Sequence, residues 1–212
     1  MRRPRFIAEQ ARNAKGLLGR FIAFVMAHET FAANKRAIDA LDVQRSDHVL
    51  DVGCGHGRSL AELAARASDG RIAGTDPSEL MAEIAVERNR DLVKARRIGV
   101  TIASANALPF ADAAFDKVLC VHVVYFWQNL DDCFREIARV LKPGGRLALV
   151  LRTSADEAAV QAFPAEVYRF RSFAEVTTAL NQDGFAIDKA DEHGTEPMLI
   201  VATKRGHAGG VS

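Results

Sequence analysis

The sequence predicts an α/β fold in which helices flank a doubly wound, mostly parallel sheet of about seven strands. Three observations predict it. Short apolar runs alternate with helically spaced segments from residue 48 onward. A glycine-rich turn follows directly on the first of these runs. Residues 117–123 (KVLCVHV) are nearly all apolar, as a strand covered on both faces should be.

The elements follow in order. His48 to Val52 is the first strand and runs straight into glycines. Ser59 to Ala67 spaces Leu60, Leu63 and Ala64 as a helix does, and Gly70 stops it. Arg71 to Thr75 is a second strand. Ser78 to Lys94 is a longer helix with Leu80, Met81, Ile84 and Ala85 on one face, and Val100 to Ala103 is a third strand. After the fourth strand, Lys117 to Val123, Asn129 caps the next helix, with Asp132 three residues on, close to a capping box. Phe134, Ile137, Ala138 and Leu141 recur along that helix, and Pro143-Gly144-Gly145 ends it. Arg146 to Leu151 is the fifth strand. A polar turn, a helix around Phe173 to Leu180, and strands at Phe185 to Asp188 and Met198 to Thr203 complete the core. No helix separates the last two strands, so they should form an antiparallel hairpin or one should insert beside the other.

Ahead of this core, two helical stretches are expected, an apolar one over 16–26 and one from Asn34 to Leu41. Together they suggest an N-terminal helical lid, residues 1–46, that covers the open edge of the sheet and closes over a ligand. The core then spans 47–205, and the glycine-rich residues 206–212 form a flexible tail.

Composition narrows the function. A chain of 212 residues allows one sizeable core, and a net charge of +1 gives no reason to expect nucleic acid as an obligatory partner. Basic residues outnumber acidic ones in the first 47 positions, which reads as a solvated helical face or as a patch for peripheral contact with an acidic substrate or lipid headgroup. Cys54, Cys120 and Cys133 show neither CxxC spacing nor a nearby histidine pair, so neither a disulfide framework nor a metal site is expected, and a reducing, cytoplasmic compartment fits. The MRRPRF start superficially resembles a targeting signal, but the apolar run behind it is short and lacks an A-x-A site. No run approaches the ~18 apolar residues of a membrane span.

In such a sheet, ligands sit beyond the carboxyl ends of the strands where the strand order reverses. There the first strand ends in Asp51-Val52-Gly53-Cys54-Gly55-His56-Gly57. A dinucleotide fingerprint beginning at Gly53 needs glycine at 58, and that position is Arg58, which opposes a nicotinamide-dependent oxidoreductase. The second strand ends in Thr75-Asp76-Pro77-Ser78, where a carboxylate can accept the hydroxyls of a ribose or cap the following helix.

D-V-G-C-G-H-G resembles the first motif of class I S-adenosylmethionine (SAM)-dependent methyltransferases, a Rossmann-like family. D-P-S-E-L-M over 76–81, S-A-N-A-L-P-F over 104–110, Phe115-Asp116 and L-K-P-G-G-R over 141–146 match further segments of that family in order. The closest subgroup looks like small-molecule enzymes similar to quinone-biosynthesis methyltransferases. By this resemblance Asp51 holds the methionine amino group, directly or through water. The backbone of Gly53, Cys54, Gly55, His56 and Gly57 wraps the methionine and ribose. Asp76 takes the ribose hydroxyls, with Pro77 beside it and Met81 against the adenine. Ser104, Ala105 and Asn106 lie at the adenine, Ser104 standing where the family usually has an aspartate. Val121 and His122 close the cofactor site.

Methyl transfer from a sulfonium needs alignment and exclusion of water, and a base only for some acceptors. His122 is the candidate base, and His28 in the N-terminal lid is a second candidate. Tyr125, with Phe126 and Trp127, is expected at the reacting centre, and Phe163, Tyr168 and Phe170 on an opposite wall, or else in the core. The resemblance thus implies an enzyme that methylates an O, N or C atom of a small, hydrophobic or aromatic molecule or lipid. The alternative is a non-catalytic SAM-binding regulatory or partner subunit. Nucleic-acid methylation is disfavoured, since no N-P-P-Y-like segment follows the fourth strand.

Overall fold

A computed structural model describes residues 3–16, 19–20, 31–191 and 197–206. Seven strands form one sheet: β1 (His48–Val52), β2 (Arg71–Asp76), β3 (Ile98–Ile102), β4 (Phe115–Val121), β5 (Leu141–Leu151), β6 (Phe185–Asp191) and β7 (Met198–Lys204). The spatial order is β3-β2-β1-β4-β5-β7-β6. The first five strands pair in parallel, and β7 runs antiparallel to both β5 and β6. Both alternatives for the last two strands therefore hold at once: they pair as an antiparallel hairpin, and β7 inserts between β5 and β6.

Eight α-helices are described: α1 (Arg5–Arg12), α2 (Phe31–Leu41), α3 (Arg58–Arg66), α4 (Glu79–Arg88), α5 (Arg90–Lys94), α6 (Leu130–Val140), α7 (Glu157–Ala162) and α8 (Phe173–Gln182). Alternate strand residues feed two cores. Leu50, Val118, Cys120, Leu147, Leu149 and Ile200 face α6 and α8, which contribute Phe134, Ile137, Val176 and Leu180. Val49, Leu119, Ala148, Val150 and Val201 face α2 and α3, which contribute Ala37, Ile38, Leu60 and Leu63. Each fully buried Leu or Ile stabilises the fold by about 1.5–3 kcal/mol, so both sheet faces are anchored.

The boundaries differ from the sequence reading where tertiary contacts override local pattern. The expected helix over 78–94 breaks at Asn89, whose buried side chain donates to Gly57 O and Ala85 O, both at 2.8 Å. β4 stops at Val121 because His122 turns into the left-handed region, with φ 59°. Asn129 does cap α6, but by accepting from Asp131 N, and Asp132 completes no capping box. Helices α1 and α7 were not expected at all. The Asn34–Leu41 stretch was expected over the open edge of the sheet. It instead lies on the sheet face against β4, β5 and β7, because Ala37, Ile38 and Leu41 are fully buried there. Most of the apolar stretch over 16–26, and His28, lie outside the described residues. Among those described, no helix is long and apolar enough to cross a membrane.

Candidate active site

Strand order reverses between β1 and β4, and a cavity of about 660 Å³ opens at the carboxyl ends of β1 to β4. In-register pairing brings the tips together, with Asp51 opposite both Gly74 and Leu119, and Val52 opposite Thr75. The glycine turn is pinned to the next strand: Gly53 N and Cys54 N both donate to Thr75 O, at 2.7 and 2.9 Å. Gly53 has φ 75°, and a Cβ there would sit 2.3 Å from Val123 Cγ1, so only glycine lets the turn pass so close to the end of β4.

Of the residues expected at the cofactor, Asp51, Gly53, Cys54, Gly55, His56, Asp76, Pro77, Met81, Ser104, Ala105, Asn106, Val121 and His122 line this cavity. Gly57 does not. It serves packing: its φ is 73°, and a Cβ would meet Ala85 Cβ at 2.7 Å and Asn89 Nδ2 at 2.9 Å.

The two carboxylates are the electrostatic centre. Asp51 is 3% exposed and its oxygen accepts from Ser59 Oγ. Burial pushes its pKa up to about 7, the Ser59 hydrogen bond works against this, and the charge of Asp76 adds to it. Asp76 accepts Gly55 N at 3.0 Å on one oxygen and Ser78 N at 2.9 Å on the other. Burial still holds it above the ordinary carboxylate range. Ser78, not Asp76, is the N-cap of α4, accepting from Met81 N at 3.3 Å. No Lys or Arg pairs with Asp51 or Asp76 among the described residues. Burial likewise raises the Cys54 thiol, leaving it protonated.

The opposite wall comes from different places. The Ala11–Ala14 segment reaches over the cavity and is fastened there, since Ser78 Oγ donates to Ala14 O at 2.8 Å. Asn34 enters from α2, and Phe126, Trp127 and Gln128 from the turn after β4. His122 lines the cavity, and its Nδ1 lies 3.0 Å from Tyr125 Oη. Burial, then the charges of Arg152 and Arg36, lower its pKa to about 4, so the ring is neutral at pH 7.

Tyr125 is a correction: it was expected at the reacting centre but does not line the cavity. Its side chain is buried behind His122, where its ring packs against Phe126, Tyr168 and Phe170. Phe163, Tyr168 and Phe170 likewise form no cavity wall. They belong to this aromatic cluster, capped by Arg3 at 4.8 Å over the Phe163 ring. Ser59, Asn89 and the 11–14 segment were missed by sequence reasoning, and Ser78 was read as part of a motif without its capping of α4 or its tie to Ala14. The one available signal was Asn89, a poor helix former inside an otherwise helical pattern.

A family model described as a methyltransferase domain matches residues 50–149. The chain is 30% identical over 129 residues to the uncharacterized methyltransferase YdaC of Bacillus subtilis (strain 168), covering 61% of this chain and 69% of that protein. It is 36% identical over 111 residues to the O-methyltransferase rstn1 of Aspergillus nomiae, covering 52% of this chain and 49% of that one. The chain spans about half the length of most of the curated relatives it matches. A crystal structure of a SAM-dependent methyltransferase from Aquifex aeolicus shares the fold with a TM-score of 0.69 at 22% identity, over 81% of this chain and 89% of that one. Sequence, sheet order and the glycine turn against Asp51 and Asp76 agree, and the chain belongs to the class I SAM-dependent methyltransferase family.

Proposed function

We propose that this chain is an enzyme that transfers a methyl group from SAM to a small, largely apolar or aromatic acceptor, in the manner of the small-molecule subgroup of its family. One observation carries the reading. Two desolvated carboxylates stand at adjacent strand tips beside a glycine turn, with no cation partner among the described residues. Asp51 suits an ammonium, which would draw its pKa back down and restore its charge. Each Asp76 oxygen accepts one backbone N–H and keeps a lone pair for a ribose hydroxyl. Met81, Ala105 and Asn106, which line the cavity, would hold the adenine, with Ser104 as a neutral acceptor for its amine.

When bound, SAM supplies a methyl on positively charged sulfur, so the protein need not protonate a leaving group. The chain's own part is to align and dehydrate. The cavity continues past the glycine turn to Phe126, Trp127 and Gln128, which leaves room for an acceptor and favours an enzyme over a SAM-binding subunit without activity. Within the N-terminal region, the 11–14 segment supplies a lid in this reading, supported by its tie to Ser78. Three free, buried cysteines suit the cytoplasm. Isothermal titration of the purified protein with SAM and S-adenosylhomocysteine is the test. Saturable binding of both is expected, and binding of neither would overturn the proposal.

A further inference from the structure

Methyl transfer as outlined leaves Tyr125 without a task, although it is among the most tightly held side chains near the cavity. Its phenol oxygen lies 2.5 Å from Arg152 N and 3.0 Å from His122 Nδ1. The Arg152 amide can only donate, so the phenol oxygen accepts there. The phenol's own proton then needs an acceptor, and its ring is walled by Phe126, Tyr168 and Phe170 at centroid distances of 6.2, 5.7 and 5.1 Å. His122 Nδ1 is in reach. A neutral imidazole that accepts at Nδ1 carries its hydrogen on Nε2. The left-handed backbone at His122, anchored by His122 N donating to Val150 O at 2.8 Å, sets the ring between Tyr125 and the cavity. The edge away from Tyr125 is the one bearing Nε2.

Building on the methyltransferase reading, we propose that Tyr125 is a positioning residue that keeps the hydrogen of His122 on Nε2. His122 therefore meets the acceptor as a hydrogen-bond donor, not as a base, and the acceptor arrives as an oxyanion, a carboxylate or a phenolate. The surrounding charge agrees. Arg36 and Arg152 both act on His122 as cations, Arg152 partly offset by its ion pair with Asp156 and Arg36 bonded to the Pro197 carbonyl. Their field draws an anion to the same place. The oxyanion attacks the methyl carbon, an O–C bond forms as the S–C bond breaks, the electron pair of that bond stays on sulfur, and no proton moves. Hydrogen bonding from Nε2 directs the nucleophile along this line.

The test is long-range proton–nitrogen correlation spectroscopy on protein labelled with ¹⁵N-histidine at pH 7, with His122 assigned by its loss in His122→Asn. Nε2 should carry the proton and Nδ1 should not; a protonated Nδ1 overturns the proposal. Tyr125→Phe should mix the two tautomers of His122 while the amide spectrum remains that of a folded protein, and an unchanged tautomer would remove Tyr125 from the role. With S-adenosylhomocysteine present, benzoate should shift the His122 Nε2 resonance at least several-fold more than benzyl alcohol does; equal responses overturn the oxyanion class. Wild-type titration with SAM, run alongside, separates the two readings. Absence of SAM binding defeats the methyltransferase proposal, whereas the tautomer is read without SAM.

Discussion

The two walls of the cavity are built by different physical means. One wall is strand tips and turn backbone: Asp51 and Asp76 sit where sheet pairing puts them, and the Gly53–Gly55 turn is hydrogen-bonded to Thr75 and Asp76. The other is side chains gathered from the Ala11–Ala14 segment, from Asn34 on α2, and from the turn after β4. The first wall is fixed by the sheet and can serve one ligand across many proteins. The second can change residue by residue without touching the sheet, as a surface that selects among acceptors should.

Substitutions that should act on one wall alone sharpen this contrast. The largest effect is expected from Gly53→Val, which forces a branched side chain into left-handed backbone and against Val123. A loss of about 4 kcal/mol in stability, from strain and overpacking together, should appear in denaturant unfolding. A variant of near wild-type stability would mean that the turn is not held as described.

Asp51→Asn comes next, and its effect depends on pH. The folded-state pKa of Asp51, about 7, lies above the ~3.9 of an unfolded chain. Asp51 thus favours folding most on the acid side, and that contribution is lost as pH rises from about 4 through 7. The asparagine variant should gain on wild type across this window, by on the order of 4 kcal/mol at pH 8 and by nothing near pH 4. Parallel stability curves for the two proteins would contradict the raised pKa. Asp76→Ala should weaken SAM binding by about 1.5–3 kcal/mol, as loss of charge-assisted hydrogen bonds does, measured by calorimetry. Smallest is Gln128→Ala on the other wall. SAM affinity should change by less than about 0.5 kcal/mol, and a larger loss would erase the division between the walls.

The same division explains what the sequence made legible. Asp51, the glycines, Asp76 and the strand–helix alternation could be read because each follows from local chemistry: a strand, a tight turn, a carboxylate at a strand tip. The second wall could not. Helix α1 is short and half polar, and its place over the cavity depends on Ser78 holding Ala14, 64 residues apart in the chain. Tyr125 looked like a cavity residue because it follows β4 by four positions, and only the left-handed turn at His122 sends it inward. Gly57 looked like a ligand contact, but it is glycine to admit Ala85 and Asn89. Asn89 itself breaks a helix for the sake of a carbonyl 32 residues away.

The insertion of β7 has a consequence for biosynthesis. Until residues 198–204 leave the ribosome, β5 has an unpaired edge and β6 has no neighbour, however well the glycine turn and the first five strands have formed. A nascent chain stalled shortly before that point would carry a nearly complete cofactor wall and an open, apolar strand edge at the same time. Aggregation during slow translation is therefore concentrated in the interval between the emergence of β5 and that of β7.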